Sequence, residues 1–145
     1  MTTKRTGTPW MASDAYGKTL AGLSLNLIVR DVAESVPFYR DVLGMTVQYA
    51  DEDMAALQRS ATQIVLHADH TYDKQPWAAR LAATGKRGFG AEIRILGIDP
   101  DAAERRAKDR GATVLLGARD WPHGWRDVLL EDPDGYTFAV GMALP

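Results

Sequence analysis

The chain contains no cysteine. Disulfide staples, thiolate zinc sites and thiol nucleophiles are therefore excluded, and the fold must hold by its core alone. Positive charge is not in excess either. Seventeen Lys and Arg stand against nineteen Asp and Glu, which leaves no basic field to recruit nucleic acid. No apolar run approaches the roughly 18 residues that a membrane-spanning helix needs. Lys4 and Arg5 are not followed by an apolar segment before Pro9, so no secretory leader is expected. The expectation is a cytoplasmic protein with neither nucleic-acid nor membrane partners. A G-x-S-x-G element is missing, which removes the serine-hydrolase reading. Gly88-Phe89-Gly90 runs into a predicted strand rather than a helix, so it lacks the helix N-terminus that cradles phosphate.

What is present is one module written twice. Leu23, Leu25, Leu27 and Val29 alternate with Ser24, Asn26 and Ile28, the period of a strand with one polar face. Asp31 then stands as an N-cap with Glu34 three residues on, a capping-box pattern. Val36, Tyr39, Val42 and Leu43 follow at helical spacing, and Gly44 ends the helix. Pro37 is tolerable only near the first turn of that helix. Later, Ile93 and Ile95 alternate with Glu92, Arg94 and Leu96. Asp99 caps a second helix with Pro100 at its first turn, and Gly111 closes it. Asp31 to Gly44 is 13 positions and Asp99 to Gly111 is 12, which marks an internal repeat of whole modules.

The remaining segments fill in around this repeat. Strands are predicted over 46–49, 54–59, 62–68, 113–116, 125–131 and 136–141. Asp132-Pro133-Asp134-Gly135 forms a strong turn before the last one. Each module thus reads βαβββ. The boundaries are an N-terminal arm over residues 1–22 and one domain over 23–142. That domain comprises module one (23–69), a connection (70–90) with helical character at 76–83, and module two (91–142). The length, 145 residues, suits a single domain burying roughly 68–70% of its unfolded surface. Arg105, Arg106, Lys108 and Arg110 lie among Asp101, Glu104 and Asp109, the pattern of a solvated helix face.

Val29-Arg30-Asp31-Val32, Phe38-Tyr39-Arg40-Asp41-Val42-Leu43-Gly44 and Glu131-Asp132-Pro133-Asp134-Gly135-Tyr136 carry a resemblance. With the paired βαβββ modules, they are similar to the vicinal oxygen chelate superfamily, which holds glyoxalase I, bleomycin-resistance proteins and extradiol dioxygenases. The resemblance implies an α+β fold: two modules whose mixed sheets form a cup, with the helices on the outer face. It also implies a homodimer. In the metal enzymes of that superfamily, inward-facing ligands sit on the first and last strands of each module. The matching positions here are Ser24, Val65 (with His67 two residues on), Glu92 and Ala139. Of these four, Glu92 alone is a ligand-type residue. No cofactor is therefore expected, and a divalent metal would have to rely on His67 and Glu92.

Alternation places Asn26, His67, Glu92 and Arg94 on the polar face, beside Ser24, where they can bind a ligand. Leu25, Leu27, Ile64, Leu66, Ile93 and Ile95 face the helices. Glu92 is the candidate general base if there is chemistry. The alternative is that Glu92 merely pairs with Arg94, and that His67 is a satisfied structural histidine at a strand end. Trp121 to Trp125 forms an aromatic loop, and Trp77 lies in the other long connection. Both suit a flat organic ligand, although core or interface packing accounts equally well for them. His67-Ala68-Asp69-His70 lacks the first His of an H-x-H-x-D-H metal motif, since Val65 stands there. The sequence thus points to a protein that sequesters or carries a small aromatic molecule without a metal. A metal-dependent lyase or isomerase using Glu92 and His67 is the alternative.

Overall fold

The computed structural model describes residues 3–145. A short helix, α1 (Ser13–Gly17), lies in the arm. Module one follows as β1 (Leu25–Val29), α2 (Val32–Pro37, continued by a π-helical turn over Phe38–Val42), β2 (Thr46–Ala50), β3 (Met54–Arg59) and β4 (Thr62–Ala68). The connection holds a single 3-10 turn, Asp69–Thr71, and α3 (Ala78–Ala83). Module two contains β5 (Glu92–Leu96), α4 (Pro100–Asp109), β6 (Thr113–Asp120), β7 (Trp125–Glu131) and β8 (Thr137–Ala143). Each module forms one mixed four-stranded sheet, in the orders β1-β4-β3-β2 and β5-β8-β7-β6. In both, the first and last strands run parallel and the other pairs antiparallel. This is the expected α+β arrangement of paired βαβββ modules.

The helix signals act as written. Asp31 accepts from the Glu34 N–H, and Asp99 from the N–H groups of Asp101 and Ala102. Gly44 and Gly111 both take φ of +68°, the left-handed value that ends each helix. Pro37 departs from expectation, because it sits in the second turn rather than the first. It has no N–H to donate, and the helix widens immediately after it: the Leu43 N–H reaches back five residues to Phe38 O at 3.2 Å. The wide turn leaves the Val42 carbonyl to Arg106, whose Nε and guanidinium NH2 donate to it at 3.1 and 2.9 Å. Arg106 is therefore a tie between modules and not part of a solvated face.

A single apolar cluster runs through both modules, from Val29, Leu57 and Leu66 to Leu130, Phe138 and Val140. The two recurrent sequence motifs meet within it. Tyr39 packs edge-on to Phe138, and its buried hydroxyl donates to Asp132 at 2.7 Å. Asp132 also accepts from the N–H groups of Asp134 and Tyr136. Asp134 receives the Arg30 N–H and guanidinium, and Tyr136 donates to Ile28 O. Burial pushes the Asp132 carboxyl up to about 6 despite these bonds.

Three strands differ from their expected limits: β8 runs Thr137–Ala143 rather than 136–141, and β6 and β2 depart as well. β6, predicted over 113–116, continues to Asp120 through two register shifts, and only Trp121–Gly124 turns. In β2, Val47 pairs with Leu57 but Tyr49 pairs with Ala56, so one residue is extra. The bulge turns Tyr49 out of the core and onto the opposite, concave face of the sheet.

Candidate functional site

The concave face of module one carries a hydrogen-bonded polar array. Asn26 on β1 and His67 on β4 project from the same side, since Asn26 is in register with Val65 and Ile28 with His67. The Asn26 amide donates from Nδ2 to the Tyr72 hydroxyl at 2.8 Å and offers Oδ1 to His67 Nδ1 at 2.7 Å. A neutral His67 consequently holds its proton on Nδ1, and Nε2 keeps its lone pair. Burial lowers the His67 pKa against the opposing pull of Asp53 and Asp51, which favours that neutral form. The ring of Tyr72 meets His67 edge-on at 5.3 Å and stacks on Trp77 at 5.5 Å. Beyond them opens a cavity of about 740 Å³, lined by Arg30, Asp69, His70, Tyr72, Trp77, Leu81 and Arg87, among others.

The N-terminal arm covers this face. Trp10 stacks on Tyr49 at 5.4 Å and 15°, so the bulge in β2 supplies the ring on which the arm lands. Arg5 anchors the arm's start. Its guanidinium donates to Asp51 at 2.6 Å, and its backbone N–H donates to Asp53 at 2.8 Å. His70 Nε2 meets the same Asp53 oxygen at 2.9 Å. Burial alone would raise both carboxyls, but the bonds they accept outweigh it. Tyr49 and Arg5 hold Asp51 below the usual carboxylate range, and Arg5 and His70 hold Asp53 there. Asp69 forms a two-pronged pair with the buried Arg87, at 2.6 and 2.8 Å.

Module two presents the matching face without a cover. Glu92 and Arg94 are exposed and pair with each other at 3.1 Å. Arg94 lines a shallow cavity of about 100 Å³ with Leu96, His123, Trp125, Asp127, Ala139 and Gly141. Trp121 closes the β6–β7 turn: its indole N–H donates to Asp127 at 2.7 Å, and its ring stacks with His123. Ser24 lies just before β1 and is exposed. Asn26 and His67 are thus satisfied together on one sheet, and Glu92 and Arg94 on the other. Among the described residues no hydrogen bond joins the two pairs. Trp10, Met11 and Tyr16 were legible in the sequence as docking anchors of the arm, whereas Arg5, Tyr49, Asp51, Asp53 and Tyr72 were missed. Nothing in the sequence flagged Tyr49, which continues the Val47 alternation and reaches this face only through the bulge in the pairing.

These modules, joined through FYRDVLG and EDPDGY, match the glyoxalase-like domain family over residues 24–141. The chain belongs to that family. Solved structures agree on the fold. A glyoxalase-related enzyme from Fulvimarina pelagi is 17% identical, covering 85% of this chain and 88% of its own, with a TM-score of 0.68. A glyoxalase/bleomycin resistance protein/dioxygenase family enzyme from Burkholderia phytofirmans is 20% identical, covering 83% and 97%, also at 0.68. A lactoylglutathione lyase from Agrobacterium tumefaciens is 19% identical, covering 84% and 92%, at 0.61. Such identities speak to fold alone. No curated protein matches the sequence.

The metal donor set does not fit a divalent ion. Among the described residues no three His, Asp or Glu side chains converge to hold one. His67 is turned to Asn26 and Glu92 to Arg94, on separate sheets. No helix among the described residues is long and apolar enough to cross a membrane.

Proposed function

We propose that this chain binds a small, aromatic organic molecule on its concave surface and sequesters or carries it without a metal. The observation that supports the reading is the Asn26–His67–Tyr72 array, in which Tyr72 links the oriented histidine to the Tyr72–Trp77 stack that lines a cavity of about 740 Å³. Ligand sites commonly measure roughly 300–1,000 Å³ and combine apolar walls with a few placed polar groups. The test is a thermal-shift screen of aromatic metabolites and drugs. A true ligand at about 100 times its dissociation constant should add ~2.7 kcal/mol of stability. His67→Leu should abolish that gain, and its persistence would sink the assignment.

The second reading is a metal-dependent lyase or isomerase; the Agrobacterium neighbour is named a lyase. It requires Glu92 and His67 at one ion. Elemental analysis of protein prepared without chelator separates the two: stoichiometric Zn, Ni, Mn or Fe that is lost in Glu92→Ala would favour the enzyme. The proposal includes a homodimer. The open face of module two exposes Leu96, and Leu115 of β6 is exposed as well, apolar surface that a second copy can cover. Sedimentation as a 15.9 kDa species at micromolar concentration would count against the dimer.

A further inference from the structure

The arm and the module-one sheet enclose a cavity of about 140 Å³. Its walls are Trp10, Met11, Tyr49 and Met54, and its polar groups include Tyr16 and His67. The Tyr16 hydroxyl is buried and has no hydrogen-bond partner among the described residues. The arrangement is unusual, because a buried hydroxyl normally finds a partner and its absence costs free energy. His67 presents the complementary group. Its Nδ1 proton is committed to Asn26, so Nε2 is left as an acceptor. Tyr16 and His67 both line this cavity, so an unused donor and an unused acceptor belong to residues of its wall, beside aromatic rings. Its size matches that of an apolar cavity of roughly 150 Å³ known to take one benzene ring.

We propose that the N-terminal arm completes a closed site for a neutral, single-ring molecule bearing a hydroxyl, which accepts from Tyr16 and donates to His67 Nε2. The proposal rests on the binding reading above and names the ligand class at its His67 end. A charged ligand is disfavoured by the apolar walls and by the pairing of Arg5 with Asp51 and Asp53, which leaves no uncommitted counter-charge at the rim. Entry requires the arm to lift, so the Arg5 clasp and the Trp10–Tyr49 stack form the gate.

Phenol is the probe, with toluene as the ring lacking a hydroxyl, each titrated into the full chain by NMR. Phenol should bind more tightly than toluene and shift the signals of Tyr16 and His67. Tyr16→Phe removes only a partnerless hydroxyl on a short exposed helix, so the fold survives. It should weaken phenol about tenfold, the worth of one hydrogen bond, and leave toluene unchanged. His67→Leu should act in the same direction. Failure of phenol to bind would overturn the site. Phenol binding indifferent to Tyr16→Phe would overturn the arm's role while leaving the concave-face reading intact, since the thermal-shift screen judges that reading independently.

Discussion

The two modules share a topology and even a helix-ending φ, yet their concave faces differ. Module one keeps its face under the arm, with His67 oriented by Asn26 and flanked by aromatic rings. Module two leaves Glu92 and Arg94 in solvent, paired with each other. The lesson is that a repeated βαβββ scaffold sets where a face lies and not what occupies it. Occupancy was decided by one bulge in β2 and by a segment outside the repeat.

The largest expected effect tests whether the modules are otherwise equivalent. Leu66 and Leu130 are both fully buried in the shared cluster. Leu66→Ala and Leu130→Ala should each cost about 2–5 kcal/mol and keep one cooperative urea transition. Two separated transitions would show that the modules hold independent cores.

The second test concerns pH, where the modules should respond in opposite directions. Asp132 in module two has a folded pKa raised to about 6, above the value of about 4 expected when unfolded. The folded state therefore binds the extra proton between those values. Its contribution to stability falls as pH rises from about 4 to 6, by up to about 2–3 kcal/mol. Asp132→Asn should flatten that decline in chemical denaturation, with the amide still able to accept from the two backbone N–H groups. Asp51 and Asp53 in module one have lowered pKa values, so their contribution is present above about 4 and is lost as pH falls through the folded values. Acid should release the arm, seen as a red shift of Trp10 emission, without first unfolding module two.

A smaller effect comes from Arg5→Ala. Global stability should change by about 1 kcal/mol or less, as for other partly exposed ion pairs. The Trp10 signal should nevertheless red-shift at neutral pH, and the amides of β3 should exchange faster. An unchanged Trp10 spectrum would mean that the stack on Tyr49 holds the arm alone. The smallest effect belongs to the open face. Glu92→Gln should move stability by no more than about 0.5 kcal/mol, because both partners are exposed. If it abolishes turnover of a substrate while binding persists, the enzyme reading overtakes the binding reading.

Much of this was legible in the residues alone. Asp31 with Glu34, Asp99 with Pro100, and the two helix-ending glycines determined where each helix starts and stops, because caps act over three or four residues. Alternation in β1, β4 and β5 determined which side chains face the core, since a strand's period is two whatever it packs against. FYRDVLG and EDPDGY marked the family, though not that Tyr39 and Asp132 bond to each other across 93 positions. Tertiary structure alone decided the site. Arg5 meets Asp51 across 46 positions, and Asn26 meets Tyr72 across the same span. Such contacts leave no periodic trace, because they depend on where folded surfaces come to rest. The extra residue in β2 is equally silent in sequence, yet it turns Tyr49 to the concave face and so gives the arm its landing place.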